Sequence, residues 1–288
     1  MKDAELRMRA AASRPWPELR EGRYRVRFAR GEDEVREAQR LRFEVFNLEL
    51  DEGLASSFES GLDVDAYDAF CTHLLVDDEE SGELVGTYRM QSADVALDRL
   101  YCAQEFDLRG LPPEVLAQGG ELGRACIRRG HRNGQVLFAL WRGLATFATW
   151  NGLRYLFGCS SLTSQDEATG WRAYAQLRAD GKLTPGIHVA PRPAYRCAGA
   201  TLGDAQRGER FELPRLFRTY LRYGARVCSP PAIDRAFQTI DFLILLDLEG
   251  LEPRMRRLFF EGLPEPPEGS VEEQEDRGTA DGPGEAAG

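Results

Sequence analysis

Residues 119–134 of the 288-residue chain read GGELGRACIRRGHRNG. The first half has the apolar residues of a core strand, Leu122, Ala125, Cys126 and Ile127, yet it also carries Glu121 and Arg124. A carboxylate in such a strand is partly desolvated, which favours accepting a proton. The plainer reading is an ion pair between Glu121 and a core arginine, Arg89 or Arg124. The second half places Arg128, Arg129 and Arg132 before Gly134 and runs into an amphipathic stretch. Backbone amides at a helix N-terminus, backed by arginines, suit a phosphate. FGCSS at 157–161 offers Cys159 and Ser160 as nucleophiles, but no histidine lies nearby in the sequence and the context is a buried strand. Covalent catalysis is therefore not expected.

These residues need elements to position them, and apolar periodicity supplies a set. YRVRFA (24–29) alternates as a strand, and residues 32–50 carry Val35, Ala38, Leu41, Val45 and Leu48 at helical spacing. An acidic loop covers 51–70, and 71–91 reads as a hairpin turning at DEESG. After an irregular stretch come the strand of Glu121, a helix over 134–150, a buried strand over 152–162 and a helix over 166–177. A helix at 212–224, a continuously apolar strand at 237–248 and a proline-started helix at 252–262 complete the series. This order predicts an α/β (α+β) protein with a mixed central sheet flanked by helices.

The composition is ordinary for a globular protein, with 42% hydrophobic and 10% aromatic residues. The longest apolar runs, such as FLILL at 242–246, are too short to span a bilayer, and the N-terminus lacks the apolar core of a signal peptide. Six scattered cysteines without a CxxC pair and three dispersed histidines speak against disulfides and a metal site. The formal charge of −10 is concentrated in the C-terminus. Residues 261–288 hold nine acids and one base, a net −8, which leaves −2 for the remainder. The expected organisation is an N-terminal extension (1–22), one domain (23–262) and an acidic, disordered tail (263–288). The nearly neutral body with clustered arginines suits an acidic partner or phosphate groups, or else solvated helix faces; no nucleic acid partner is expected.

The element order, with a strand running into a basic glycine turn and a helix, resembles the GNAT N-acyltransferase fold. LRFEVFNLE (41–49), DVDAYDAFCTHLLV (63–76), GELVGTYRM (82–90) and ELGRACI (121–127) are similar to the acyl-homoserine lactone synthase pattern. There an Arg-x-x-x-Phe helix precedes paired aspartates, a Gly-x-x-Arg strand and a Glu-x-x-Arg strand. LWRGL, YLFGCSSL and the long stretch LPRLFRTYLRYGARVCSPPAIDRAFQTIDFLILLD look closer to the L-ornithine Nα-acyltransferases. The resemblance covers residues 24 to 250.

That resemblance implies a cytoplasmic enzyme that moves a fatty acyl group, commonly 3-hydroxyacyl, from acyl carrier protein to the α-amine of L-ornithine, giving lyso-ornithine lipid. No cofactor is implied beyond the phosphopantetheine of the carrier protein, and the lipid product implies peripheral contact with the inner face of the membrane. Glu121 becomes the candidate base, direct or through a water, with Arg124 beside it. Arg42, Asp65, Asp68 and Arg89 become a polar network around the acceptor, the aspartates holding its distal ammonium and arginine its carboxylate. Without the resemblance Asp65 and Asp68 read as an acidic surface loop. Phe46 is expected in the core or the acyl channel. Arg128, Arg129, Arg132 and Gly134 would meet the carrier protein and its phosphodiester. The stretch Arg132, Asn133, Gly134, Gln135, Val136 lacks the second glycine with which coenzyme A-dependent relatives cradle a pyrophosphate, which favours a carrier-protein donor. Alternatives are another acceptor, an amino acid or S-adenosylmethionine, and a non-catalytic acyl-carrier or lipid-binding module.

Overall fold

A computed structural model describes residues 15–198 and 210–267. Residues 1–14 of the expected extension and 268–288 of the expected tail lie outside them. Nine strands form one sheet among the described residues: β1 (Leu19–Glu21), β2 (Tyr24–Phe28), β3 (Thr72–Asp78), β4 (Glu83–Ser92), β5 (Gly119–Ile127), β6 (Tyr155–Leu162), β7 (Arg226–Val227), β8 (Ala232–Asp234) and β9 (Thr239–Asp247). Their order is β1-β2-β3-β4-β5-β6-β9-β7, with β8 also on β9. Every pairing is antiparallel except β5 with β6. The longer helices are α1 (Glu32–Phe43), α2 (Gly134–Trp150), α3 (Glu167–Ala179), α4 (Arg215–Arg222) and α5 (Pro253–Phe260).

Side-chain alternation splits the sheet into two unlike faces. Leu74 and Val76, Tyr88 and Met90, Leu156, Phe242 and Ile244 join the core built with α2, α4 and α5. The residues between them turn the other way. There Phe157, Leu243 and Leu245 pack under Leu100, Phe106 and Val115, while His73, Arg89, Glu121 and Asp241 bring buried polar groups to the same face.

The β5–β6 pairing is brief. It runs only over Gly119↔Tyr155, Gly120↔Leu156 and Glu121↔Phe157, after which β5 stays on β4 and β6 on β9. The strands part at a point where Gly158 is needed, because a Cβ there would stand 2.2 Å from the carbonyl oxygen of Leu122. Past it lies a wedge between Leu122–Ile127 and Gly158–Leu162. On the wedge wall β5 bulges: Thr87 opposes Cys126 and Arg89 opposes Gly123, so Arg124 and Ala125 together face Tyr88. Arg124 takes φ +50°, a left-handed conformation uncommon for a long side chain.

The expected helix over 32–50 is present, but its last turn, Glu44–Glu49, widens into a π-helix. Such a turn inserts a residue and re-aims its neighbours. The folded body also extends past both boundaries drawn from the sequence. Trp16 is 7% exposed and stacks on Phe28 (4.4 Å), Trp150 (5.3 Å) and Phe147 (5.8 Å), and β1 pairs with β2 through Leu19↔Val26. At the other end Leu263 packs against the core and the carbonyl of Pro264 accepts from Trp150 Nε1 at 2.9 Å. Removing the Trp16 ring leaves a cavity among three aromatic rings, so Trp16→Ala should cost about 3 kcal/mol in urea unfolding. A loss below about 0.5 kcal/mol, the range of exposed substitutions, would place residues before 23 outside the fold.

Candidate active site

Three arginines and three aspartates meet on the polar face of the sheet. Arg42, 1% exposed on α1, grips Asp68 with NH1 on Oδ1 at 2.9 Å and NH2 on Oδ2 at 2.7 Å. Its Nε lies 2.8 Å from Asp63 Oδ2, and NH2 also donates to the Asp63 carbonyl. Arg89 of β4 bridges Asp65 (2.5 Å) and Asp68 (2.9 Å), while Arg124 reaches Asp65 with NH2 at 2.8 Å and approaches Asp63 with Nε at 3.2 Å. Gln39 adds a donor to Asp68, and His73 Nε2 lies 3.1 Å from the Asp68 carbonyl. Burial works to raise the Asp65 and Asp68 carboxyls, and the arginines overcome it, holding both below the usual carboxylate range. Burial, with Arg42 nearby, lowers His73 to about 4 and leaves it neutral.

The structure brings together Arg42, Asp65, Asp68, Arg89 and Arg124, which the sequence grouped, and adds Asp63. The orientation differs from the expectation. Asp65 and Asp68 present their oxygens to Arg42, Arg89 and Arg124, so the carboxylates expected to hold the acceptor's ammonium are occupied within the protein. The acidic loop is no surface feature either, since Asp63 is 0% and Asp68 6% exposed.

Glu121, 5% exposed, pairs with no arginine among the described residues. Its Oε1 accepts from the backbone N–H of Cys102 at 2.7 Å and its Oε2 from that of Tyr101 at 2.8 Å. Burial pushes its carboxyl above the ordinary value, against the pull of those two amides. Glu121 thereby fixes Tyr101, whose ring lies 5.0 Å from the Arg124 guanidinium carbon and 5.6 Å from that of Arg89. Phe237 packs on the other part of Arg124 at 4.1 Å.

The wedge between β5 and β6 opens a cavity of about 330 Å3. Its walls divide by chemistry. Trp141, Leu156, Phe217 and Ile244 make an apolar lobe, in which the Tyr88 and Tyr220 hydroxyls are hydrogen-bonded to one another. Arg89, Arg124, Tyr101 and Asp241 make a polar wall. Phe46, turned inward by the π-helical turn, lines this cavity and a neighbouring one of about 280 Å3 that reaches Arg132, Asn133 and Arg215. Glu121 is not on the wall of either.

The basic turn is more engaged than its sequence suggests. Arg128 is bound to Glu44 at 2.6 Å and Arg132 to Glu49 at 2.5 Å, which ties the turn to the π-helical segment. Arg129 stands exposed. Asn133 caps α2, its Oδ1 accepting from the amides of Gln135 and Val136 at 3.0 Å each. Those amides would otherwise be the strongest anion donors of the turn. Gly134 has open space around it.

Sequence reading missed one group altogether. Glu105, Asp234 and Asp241 are buried, each offers an oxygen, and these oxygens lie within 4.8 Å of one another. A carboxylate within the apolar run TIDFLILLD (239–247) was the available signal.

Residues 41–142 match the acetyltransferase (GNAT) domain family. The L-ornithine N(alpha)-acyltransferase of Rhodobacter capsulatus is 31% identical over 248 residues, 82% of this chain and 94% of that protein. The protein of the same name from Rhizobium meliloti is 31% identical over 80% of this chain and 81% of its own length. Among solved structures, a CoA-dependent acyl-homoserine lactone synthase superposes with a TM-score of 0.48 at 14% identity, covering 84% of this chain and 92% of that one. An N-acyl amino acid synthase from uncultured soil microbes gives 0.44 at 12%, covering 80% and 94%.

The buried network sets an expectation for stability. Arg42→Met takes the bidentate partner from Asp68 and the nearer guanidinium from Asp63, leaving them Arg89 and Arg124 alone, and should cost about 4 kcal/mol. The depressed Asp65 and Asp68 carboxyls contribute stability that is complete above their unfolded value of about 4 and is lost as pH falls through the lower folded values. Melting temperature should therefore drop less between about pH 4 and pH 2 in Asp68→Asn than in the wild type. Parallel acid profiles would mean that the pairs contribute nothing.

Proposed function

The chain belongs to the L-ornithine Nα-acyltransferase family, and on that premise we propose that it acylates the α-amine of ornithine from an acyl carrier protein thioester, with a 3-hydroxyacyl group as donor chain. It is an enzyme with a GNAT-like fold, so the reading as a non-catalytic module gives way. The observation that carries the proposal is the wedge cavity, where one space joins an apolar lobe to a wall bearing Arg124 and Asp241. A fatty thioester and a zwitterionic amino acid need that division of surfaces.

The chemistry follows from juxtaposition. The neutral α-amine attacks the thioester carbonyl, the oxyanion forms and collapses, the carbon–sulfur bond breaks, and the thiol of the carrier leaves with a proton. Beyond Glu121 the wedge-side edge of β5 has no strand partner among the described residues, so its amides can donate to the oxyanion. Arg124 hydrogen-bonds Asp65 through NH2 and approaches Asp63 with Nε, while NH1 makes no hydrogen bond among the described residues and keeps its N–H groups for the acceptor's carboxylate. Glu121 stands off the cavity wall, so it takes the amine's proton through water. The Tyr88–Tyr220 hydroxyl pair is the polar feature inside the apolar lobe and supports a hydroxylated acyl chain.

The donor reading rests on the capped helix. With the Gln135 and Val136 amides held by Asn133, the turn is poorly prepared for a pyrophosphate; Arg132 and Arg215 at the outer cavity suffice for one phosphodiester. Arg129 and the α4 arginines meet the acidic carrier, and Arg128 and Arg132 support the turn through Glu44 and Glu49. No helix of the described residues is long and apolar enough to cross a membrane. Exposed Leu48 and Phe58, beside the cavity-lining Leu50, support peripheral contact with the inner face of the membrane when the lipid product leaves.

Mass spectrometry of products from 3-hydroxyacyl carrier protein, the matching coenzyme A thioester and ornithine tests the donor. The carrier thioester should win by on the order of 10²-fold in kcat/KM; equal use of both refutes the carrier-protein reading. Arg129→Glu with Arg215→Glu should raise the KM for carrier protein about tenfold, an effect that fades with salt, and barely alter that for ornithine. Equal changes in both constants would move these arginines out of the docking surface. Glu121→Gln should lower kcat by on the order of 10²-fold and remove the acidic limb of the pH–rate profile. If the rate falls but the limb stays, Glu121 only positions Tyr101.

A further inference from the structure

Charged groups buried in a protein normally meet their opposites. Glu105 closes the short helix Cys102–Glu105, Asp234 ends β8 and Asp241 lies in β9. They are 1%, 5% and 3% exposed, and no lysine, arginine or histidine pairs with any of them among the described residues. Their contacts are weak or local. Asp234 Oδ1 caps the amides of Ala236 and Phe237, Asp241 Oδ2 accepts from Thr239 Oγ1 at 3.0 Å, Glu105 Oε1 receives the thiol of Cys159 at 3.7 Å, and Asp241 also hydrogen-bonds with Ser161 and with the Glu105 carboxyl. Neither Glu105 Oε2 nor Asp241 Oδ1 is met by a cation or a backbone amide among the described residues, and Asp241 lies on the cavity wall. Burial, reinforced by the neighbouring acids, pushes Glu105 and Asp241 above the ordinary carboxylate range. Without a ligand this pole holds three buried carboxyls that no cationic side chain meets among the described residues, so a bound cation would neutralise it.

The cluster is not remote from Arg124. Tyr101 has its ring against that guanidinium at 5.0 Å and its hydroxyl 3.5 Å from Asp234 Oδ2. Phe237 packs on the same guanidinium at 4.1 Å and donates its backbone N–H to Asp234 Oδ1 at 3.1 Å. One tyrosine side chain therefore spans the distance between Arg124 on the cavity wall and an anionic pole that reaches that wall through Asp241, with Glu105 and Asp234 set off it. An amino acid with three methylenes between its α-carbon and a side-chain ammonium has the matching length and the matching charges.

We propose that Glu105, Asp234 and Asp241 hold the side-chain ammonium of the acceptor while Arg124 takes its α-carboxylate; the proposal rests on ornithine being the acceptor. An ammonium carries three N–H donors, and the cluster offers one oxygen from each of three carboxylates. A divalent ion such as Ca2+ or Mg2+ would need about six oxygens, whereas the aromatic rings of Tyr101 and Phe237 and the Cys159 thiol occupy much of the surroundings. With ends fixed at the two poles, the α-amine is left as the free nucleophile facing the wedge, which gives the α-selectivity that a diamine otherwise lacks.

The test compares ornithine with norvaline, which has the same carbon chain without the second amine, as acceptors from acyl carrier protein thioester. The wild type should favour ornithine by on the order of 10³-fold in kcat/KM. Asp241→Asn and Glu105→Gln should collapse that ratio by at least about tenfold each, through the KM for ornithine and not that for the donor. A wild type that acylates norvaline as readily refutes the ornithine reading itself. A discriminating wild type whose variants keep the full ratio, with both rates falling together, overturns only the placement of the ammonium. Stoichiometric metal in the purified protein, with activity lost to EDTA, would also overturn it. Should the variants not fold, calorimetry on the wild type decides: ornithine should bind and Nδ-acetylornithine, which keeps the α-amine and carboxylate, should bind at least about 100-fold more weakly. Equal affinities would end the proposal.

Discussion

Six charges, four buried and two half-buried, must be neutralised together, and the geometry of the site depends on that constraint. Asp63, Asp65 and Asp68 come from one loop, Arg42 from α1, Arg89 from β4 and Arg124 from the bulge of β5. A buried ion pair is weak evidence for stability, because desolvation offsets most of its attraction, but one partner removed is severely destabilising. The network therefore acts less as glue than as a specification. The loop can pack only where its three carboxylates find three guanidiniums, and the bulge can persist only because Arg124, at positive φ, has two aspartates to reach. The strain of the bulge is held in place by the pairs.

From that anchor the division of labour across the sheet follows. The alternation that puts Tyr88 into the apolar core puts Arg89 into the network, and the same step along β9 separates Ile240 and Phe242 from Asp241. Where β5 and β6 part, the two faces communicate through the wedge, so an apolar substrate and a charged one can meet without either crossing the other's surface. The π-helical turn contributes at the mouth: it points Phe46 inward and supplies Glu44 and Glu49 to the arginines of the basic turn.

Much of this was legible in the sequence because long periodic segments report themselves. Residues 134–150 and 239–247 form the helix and strand that their apolar patterns predict, and Glu121 and Arg124 stood out as charges in an apolar strand. The strands of two or three residues, β1, β7 and β8, are too short to show a period. The family motifs named Arg42, Asp65, Asp68 and Arg89, but no motif says which way a loop carboxylate turns, and the path of residues 63–68 sends them to arginines. Glu105 and Asp234 were invisible for a different reason. They sit in a one-turn helix and a three-residue strand, too short to show a period, and only tertiary packing brings them beside Asp241.

The chain thus buries acids in two ways, and the contrast separates structure from function. Asp63, Asp65 and Asp68 are met by guanidiniums, and those guanidiniums hold the Asp65 and Asp68 carboxyls down. Glu105 and Asp241 have no such partner, and burial pushes them up. A set of charges already satisfied gains nothing from a ligand and can serve as a rigid wall. An unsatisfied set is unfavourable in the empty protein, and a cation of the right shape removes that cost on binding, so the free energy of neutralising the pole appears as selectivity. The paired acids keep Arg124 in position, and under the proposed placement the unpaired acids set what else a molecule must carry when its carboxylate lies on Arg124.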